Sequence, residues 1–265
     1  MAMFRETLIW IVLFIFSVIN TFSVVVGNEE LLNIPLWSSW LFLLGITIVI
    51  TTIFLFRKFL QKKYSSYSLV DESKLNLKEN EYFFQSPLYI VDNQVIPIYG
   101  EGNITYTPTY FNKLHKLISL FGFMPIYSTY LSSDKNEIKI IPRNAFSLRY
   151  KYNVYLNNDF VGIYEMKRLI KDKGIKQQLP YTFRSEDDEY SLHNAYMSTK
   201  TTITNNNDAV LFQADRSVFD FSKEQNTKKR GEKHYIKIDV AHEYSELLLA
   251  LYIQTIINKQ SQKAS

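Results

Sequence analysis

Two long stretches near the N-terminus carry no charged residue, and they constrain the fold more than any other feature of the chain. The first runs from Thr7 to Val26 and the second from Pro35 to Phe56. A helix of either length can cross about 30 Å of hydrocarbon, and a helix satisfies its own backbone hydrogen bonds in lipid. The first run is longer than the apolar core of a signal peptide, and no small-residue cleavage site follows it. We therefore expect residues 1–63 to form two transmembrane helices, at about 7–26 and 35–56, with a short turn outside the cell.

The charges that flank the two runs predict the orientation of the helices. The connection between them holds Glu29 and Glu30 and no cation, whereas cations follow the second run at Arg57, Lys58, Lys62 and Lys63. Because cytoplasmic loops are enriched in Lys and Arg, we expect a multi-pass protein of the cell membrane with both termini in the cytoplasm. Asn20 is a polar residue at membrane depth, and we expect it to bond across to the partner helix rather than to mark a transport path.

The rest of the chain has the pattern of a β domain. Residues 64–80 are polar and are interpreted as a linker, and residues 81–265 as a cytoplasmic domain. Apolar and polar residues alternate from Leu148 to Leu156, which predicts a half-buried strand. A turn at Asn157-Asn158-Asp159 then predicts a hairpin. Many short strands suggest a sandwich or a closed barrel; the other predicted strands are Tyr82–Val91, Ile126–Leu131, Glu137–Ile141, Tyr181–Arg184, Glu189–Asn194, Ser198–Thr204, Ala209–Ala214 and His234–Asp239.

The C-terminal segment predicts a helix at about 241–258, with Asp239 as a plausible N-cap. Its central residues are apolar around nearly the whole circumference, so the helix must be buried on all sides or lie in a membrane. The apolar stretch is too short to span a bilayer. A closed barrel with a helix through its axis would bury it completely, and the expected core residues are Leu247, Leu248, Leu249, Leu251 and Ile253.

The hairpin VYLNNDFVGIYEMK, the last strand HYIKIDV and the terminal helix ELLLALYIQTI together resemble the tubby C-terminal, LURP-one-related and phospholipid scramblase superfamily. The resemblance covers Tyr82–Lys259. It implies a twelve-stranded antiparallel barrel around a hydrophobic C-terminal helix, and hence a membrane-anchored α+β protein. The better-known members do not carry an N-terminal membrane hairpin. No calcium or phosphoinositide site can be matched residue by residue, so the resemblance leaves the ligand open.

Residues with catalytic or metal-binding chemistry show no recognisable spacing. The chain has no cysteine and four histidines, none of which has the spacing of a metal site. The cluster Glu186-Asp187-Asp188-Glu189 lacks the spaced oxygen ligands of a calcium loop, and it is interpreted as a charged hairpin tip. No phosphate-binding glycine loop or nucleophile elbow is present. We therefore expect a protein that is not an enzyme and holds neither a cofactor nor a metal.

Three basic segments are candidates for binding lipid. The cations after the second apolar run adjoin the bilayer, although topology alone would place them there. The other two segments are either solvated loops or a rim for lipid headgroups; their candidate residues are Lys167, Arg168, Lys171, Lys228, Lys229 and Arg230. Nucleic-acid binding is disfavoured because the formal net charge is only +4 and no stacking motif accompanies it.

Within residues 110–123 an apolar stripe at helical spacing is formed by Phe111, Leu114, Leu117, Ile118 and Phe121, with Lys113, His115 and Lys116 off the stripe. This segment is either an interfacial helix lying on the bilayer or a helix packed against the barrel.

The leading hypothesis for function is a non-enzymatic, membrane-tethered tubby-like domain that binds lipid headgroups or a protein partner at the cytoplasmic face. A second hypothesis is scramblase-like lipid handling by an oligomer. A third is an accessory subunit of a larger membrane complex for export or immunity, with the helix hairpin as its docking element. The expected partners are membrane lipids, anionic ones among them, and a membrane protein.

Overall fold

The computed structural model describes residues 2–27, 33–64, 75, 77–87, 90–120, 126–144, 149–168, 180–195, 198–217, 231–239 and 242–264. Within these ranges the side chains of residues 2–5, 57, 60–64, 117–120, 242–244 and 262–264 are not described.

Two apolar helices open the chain, α1 (Ala2–Val25) and α2 (Leu36–Tyr64). Their apolar spans, Glu6–Val25 and Leu36–Phe56, have mean hydropathies of 2.5 and 2.3 and are long enough to cross a membrane. The prediction of two helices that could span a bilayer is confirmed. Helix α2 continues past the predicted end at Phe56. The four cations that follow the second apolar run therefore belong to the same helix.

Polar side chains join α1 to α2. The indole nitrogen of Trp10 donates to the hydroxyl of Thr47 at 2.7 Å, and that of Trp40 donates to the hydroxyl of Thr21 at 3.1 Å. The Asn20 amide donates to the carbonyl of Ile34, just before α2, at 3.3 Å. This bond from Asn20 therefore ends on the connection, two residues before α2 begins. Large apolar side chains on the outer faces of both helices are exposed, as they would be to lipid.

Twelve strands and two further helices follow. The helices are α3 (Lys113–Leu120) and α4 (His242–Ala264). The strands are β1 (Glu81–Pro87), β2 (Ile96–Ile98), β3 (Ile104–Tyr110), β4 (Tyr127–Ser132), β5 (Glu137–Pro142), β6 (Lys151–Leu156), β7 (Asp159–Met166), β8 (Tyr181–Arg184), β9 (Glu189–His193), β10 (Lys200–Thr204), β11 (Val210–Arg216) and β12 (Gly231–Ile238).

The strands form one antiparallel sheet that curls into a nearly closed barrel. From β2 to β12 each strand pairs with the next along the chain, and β12 pairs with β1. The circle closes at a single bridge between Phe83 in β1 and Tyr99 after β2, whose backbone groups exchange two hydrogen bonds of 2.8 Å. The prediction of an antiparallel barrel is confirmed.

Strands β2 and β3 were not predicted, because each contains a proline. Backbone groups alternate in direction along a strand. Tyr99 bonds to β1, so Pro97 two residues earlier faces the same side, where no ladder forms. Pro108 lies beyond the last residue of β3 that pairs with β2, Tyr106. Both prolines thus occupy positions where a missing N–H breaks no ladder.

Several predicted boundaries move by a few residues. The strand predicted from Tyr82 to Val91 ends at Pro87, and the last strand begins at Gly231 rather than His234. The hairpin turn contains only Asn157 and Asn158, both with positive φ (52° and 73°), so Asp159 belongs to β7. Two consecutive residues with positive φ are typical of a type I′ turn, which suits the twist of a two-residue hairpin.

Helix α4 is buried along most of its length. Leu248, Leu249, Leu251 and Ile253 have no exposed surface, and Leu247 is 6% exposed. Every side chain from Ser245 to Asn258 is buried, so no side of this stretch faces solvent. The helix runs to Ala264, past the predicted end at residue 258.

Candidate functional site

Every strand pairs only with antiparallel neighbours, so each strand begins at one end of the barrel and finishes at the other. The linker end holds the starts of β1 and α4, where Glu246 accepts hydrogen bonds from Ser133 and Asn136. The far end holds the ends of β1 and α4, where Gln260 donates to the Ser86 hydroxyl at 3.0 Å. The connecting residues at the linker end are 99–103, 133–136, 157–158, 185–188 and 205–209; the described connecting residues at the far end are 90–95, 111–120, 126, 143–144, 149–150, 167–168, 180, 194–195, 198–199 and 217.

The linker end is acidic. Its described residues include five cations, Lys78, Lys135, Lys139, Arg184 and Lys237, against more than twice as many acids. The described acids at this end are Glu79, Glu81, Glu101, Asp134, Glu137, Asp159, Glu186, Asp187, Asp188, Glu189, Asp208, Asp239 and Glu246.

The far end is basic. Among the residues that the structure describes there, the acids are Asp92, Glu165, Asp215 and Glu232. The cations outnumber them and come from nearly every connection and strand terminus; they are Lys113, Lys116, Arg143, Arg149, Lys151, Lys167, Arg168, Lys200, Arg216, Lys233 and Lys259. Charge is therefore separated along the barrel, in the sense that suits the dipole of α4, whose positive N-terminus lies at the acidic end.

The predicted lipid-binding residues divide into two groups. Lys167 and Arg168 lie at the far end; the Lys167 ammonium donates to the Ser191 hydroxyl at 3.3 Å, and Arg168 is exposed. Lys171, Lys228, Lys229 and Arg230 lie outside the described residues. The strand termini that bound their two segments are Met166 and Tyr181, and Arg216 and Gly231. All four termini are at the far end.

The other group lies on α2. Lys58 is exposed, and the side chains of Arg57, Lys62 and Lys63 are not described. These residues precede the linker, so they are separate in the chain from the far end of the barrel.

Glu232 binds three basic groups at the far end. Its carboxylate lies 2.7 Å from Arg216, 3.5 Å from Lys259 and 3.7 Å from the His234 ring. Burial alone would raise the pKa of Glu232, but the basic groups beside it lower this pKa below its usual range. Lys259 and Arg216 carry the positive charge near pH 7, since the His234 ring is then neutral. The cluster is mostly buried, and it stabilises the junction of β11, β12 and α4.

Glu165, on the outer face of β7, likewise forms ion pairs with three basic side chains. It lies 2.8 Å from Lys151, 3.3 Å from Arg149 and 3.4 Å from Arg184. Burial opposes ionisation of Glu165, and the three cations outweigh it and lower its pKa. In these two clusters, several cations form ion pairs within the protein. The exposed cations among the described far-end residues are Lys113, Lys116, Arg143, Arg168 and Lys200.

Helix α3 presents an apolar side chain among cations at the far end. Asn112 caps it, since its side-chain oxygen accepts the backbone N–H of His115 at 2.6 Å. His115 is buried (3% exposed) against the barrel, whereas Leu114 is 63% exposed. Lys113 and Lys116 are exposed on the same helix, and Lys116 pairs with Asp92. The helix thus packs on the barrel through His115, which lies off the predicted stripe, and turns Leu114 of that stripe outward, which is typical of an interfacial helix.

His234 lies in the core between β12 and α4. Its ring contacts the Ser86 hydroxyl at 3.1 Å and the Tyr252 hydroxyl at 2.9 Å, and it stacks on Phe84 at 4.4 Å. Burial is the main cause that lowers the pKa of His234 to about 3, so the ring is neutral. Within the described residues, no group of three His, Asp or Glu side chains could hold a metal ion.

Sequence reasoning missed a polar network between α4 and the tyrosines of the barrel. Asn258 accepts a hydrogen bond from the Tyr152 hydroxyl at 2.6 Å and donates to that of Tyr181 at 3.1 Å. Gln254 donates to Asn258 at 2.8 Å, and Tyr164 bonds to Thr255. The available signal was the spacing of Gln254 and Asn258, four residues apart on one face of an otherwise apolar helix.

No protein-family model matches the chain, and neither the curated proteins nor the solved structures include a match.

Proposed function

We propose that this chain is a non-enzymatic, membrane-tethered tubby-like domain that binds anionic lipid headgroups with the far end of its barrel. The observation that carries the proposal is the clustering at that end of exposed cations with the outward Leu114 of α3. A cation near an anionic leaflet gains about 1 kcal/mol, and an apolar side chain beside it can enter the headgroup region.

In this proposal α4 is the central helix that the barrel encloses. Two observations support it: the helix is buried on every side from Ser245 to Asn258, and it bonds to strands around the barrel. Tyr127 on β4, Tyr152 on β6, Tyr164 on β7, Tyr181 on β8 and His234 on β12 all have partners on α4. An enclosed helix makes the barrel a rigid body, which holds the far-end cations in one arrangement. The tubby-like resemblance implies the same design.

The tether is long enough to allow this orientation. Strand β1 begins at the linker end, where residues 78–80 form a turn, so the far end reaches the membrane only if residues 65–77 run beside the barrel. A fully extended chain of thirteen residues spans at most about 43–47 Å. Helix α4 is about 35 Å long at 1.5 Å per residue, so the tether can pass the whole barrel.

The cytoplasmic leaflet is the surface that fits the proposal. Cations on α2 follow the second span, and the positive-inside rule places them, and the domain after them, in the cytoplasm. That leaflet carries the anionic lipids that attract basic segments. The acidic linker end would be repelled by the same leaflet, which also favours far-end contact.

A non-enzymatic function is supported by the position of the pair that most resembles a catalytic one. Ser86 and His234 are within hydrogen-bond distance, but both are buried in the core. The second ring nitrogen of His234 contacts a tyrosine hydroxyl rather than a carboxylate, so the arrangement of a catalytic triad is not formed.

Lipid contact can be tested with the full chain in nanodiscs, because a chain without cysteine accepts single labels. A fluorophore on Leu114→Cys should be quenched by nitroxide-labelled lipid in nanodiscs that contain phosphatidylserine. Quenching should weaken in pure phosphatidylcholine and at high salt. The matched control is Asn207→Cys, in an exposed turn at the linker end, which should stay unquenched. Quenching at position 207 and not at 114, or equal quenching in both lipids, would refute the proposal.

A further inference from the structure

A groove opens at the linker end of the barrel, at the opposite pole from the proposed lipid contact. Its volume is about 570 Å³, within the range of natural ligand sites. It lies between the turn after β6 and the turn after β8, above the first turns of α4. Its apolar lining is Leu156, Phe160, Val161, Phe183, Tyr190 and Leu247.

The apolar lining combines a firm floor with an exposed wall. Phe183, Tyr190 and Leu247 are buried, at 1%, 5% and 6% exposure, so they form a floor that is already packed. Phe160 on the wall is 57% exposed and touches only the Tyr155 ring edge-on among its described aromatic contacts. A large exposed aromatic beside an apolar floor is a common feature of surfaces that bind a partner's side chain.

The rim of the groove is acidic and its shape is held by hydrogen bonds. The Ser185 hydroxyl accepts the backbone N–H of Asp188 at 2.8 Å, which fixes the turn that carries Glu186 and Asp187. Both carboxylates are exposed on the groove rim. The cation that precedes the turn, Arg184, pairs instead with Glu165 and Glu189. The acidic field of the whole linker end adds to that of the rim.

We propose that this groove binds a peptide segment of a partner protein in which one or two large apolar side chains are flanked by lysines or arginines. Charge complementarity selects the flanks, and the apolar floor accepts the anchor side chains. The volume suits a few side chains rather than a folded surface. When the far end contacts the membrane, the groove faces away from it and is open to the cytoplasm. The groove does not depend on lipid binding, so the two can be tested separately.

The test uses two synthetic peptides and the full chain in phosphatidylcholine nanodiscs, where no lipid charge competes. Fluorescent Lys-Lys-Leu-Phe-Lys-Lys should bind, with an affinity that falls as salt rises. The peptide with the lysines replaced by glutamates keeps the anchors and should not bind. Asp187→Lys should weaken binding about tenfold, and Phe160→Ser should weaken it without changing the salt dependence. Asp215→Lys, the same charge change on the outer face of β11, should leave binding intact.

Three results would overturn the proposal. Equal binding of both peptides would show a purely apolar site, and insensitivity to Asp187→Lys would place the binding elsewhere. Binding that appears only after Arg57, Lys62 and Lys63 are changed to Gln would make the occupant the chain's own juxtamembrane segment. Leu114→Ser should not affect peptide binding, so failure of lipid contact and failure of peptide binding are distinguishable.

Discussion

The ring nitrogen Nδ1 of His234 lies 2.9 Å from the hydroxyl oxygen of Tyr252. This hydrogen bond joins the last strand to the C-terminal helix, in a part of the core where neither side chain has exposed surface. Burial raises the pKa of the Tyr252 hydroxyl and lowers that of the His234 imidazole, so both groups are neutral near pH 7.

Stability should therefore fall as the solution becomes mildly acidic. The pKa of His234 is 6.5 in the unfolded chain, and burial lowers it to about 3 in the folded protein. Between these values the unfolded chain binds a proton that the folded protein does not, so the stabilisation is complete above 6.5 and declines below it. Between about pH 7 and 5.5 the free energy of unfolding should drop by about 1 kcal/mol. Pulse proteolysis in urea measures it; tryptophan fluorescence would not, since Trp10, Trp37 and Trp40 all lie in α1 and α2.

The control for this prediction is His234→Gln, which keeps hydrogen-bonding groups but does not titrate. The variant should be less stable at neutral pH and should show a shallower slope between these pH values. The lowered pKa of His193 leaves part of the slope in place, and Glu232 contributes only nearer its unfolded value of 4.5. An unchanged slope in the variant would exclude His234 as the responsible group.

The second prediction concerns the helix α4. Leu249 is fully buried, so Leu249→Ala should cost about 2–5 kcal/mol. Leu249→Asp should prevent folding, since a buried carboxylate has no partner there. A chain ending at Val240 should likewise lack a protease-resistant barrel. The matched control is Leu114→Asp at a 63% exposed position, which should stay folded; a stable Leu249→Asp protein would show that α4 is peripheral.

The third prediction concerns the contact between β1 and β12. Gly231 has φ +146°, and a Cβ built on it would lie 1.9 Å from the carbonyl oxygen of Ser86. Gly231→Ala must push the two strands apart, and we expect a loss of about 1–3 kcal/mol in the free energy of unfolding. Gly45→Ala in α2, where nothing lies within 4 Å, should leave the barrel unchanged. Equal stability of both variants would mean that the strand end relaxes freely.

The fourth prediction concerns topology. A single cysteine at position 28, between the two spans, should react with an impermeant reagent in intact cells. One at position 265 should react only after the membrane is opened, because both termini are expected in the cytoplasm. The reverse labelling pattern would invert the protein and remove the cytoplasmic leaflet from the proposed function.

The strands from β4 onward and α4 were predictable because local patterns determine them. The alternation from Tyr152 to Leu156 and the turn at Asn157 lie within one short segment. Strands β2 and β3 escaped because Pro97 and Pro108 contradict a strand locally. A proline is tolerated in these strands only on the side where the neighbouring strand no longer forms a ladder, as beside the Phe83–Tyr99 bridge. Tertiary contacts decide where a ladder ends, so the local sequence does not show it.

The charge separation was within reach of the sequence although it was not anticipated. Strands in an antiparallel meander alternate in direction, so the connections after Met166 and Arg216 must leave from the same end. Because two strands, β2 and β3, are absent from the prediction, the directions assigned to all later strands stay the same. The outward Leu114 and buried His115 were not predictable, since the helical stripe placed them the other way round.

The opposite charges at the two ends of the barrel have a consequence for how signals could pass through it. At physiological ionic strength, charges are screened beyond about 8 Å, whereas Glu246 and Gln260, the α4 residues that bond to the two ends, are about 21 Å apart along the helix. A phosphate added beside the groove, or a partner bound there, would therefore have little electrostatic effect on a ligand bound at the far end. If both proposed surfaces are used, they would act as independent contacts, and their joint occupancy would follow the product of their separate affinities.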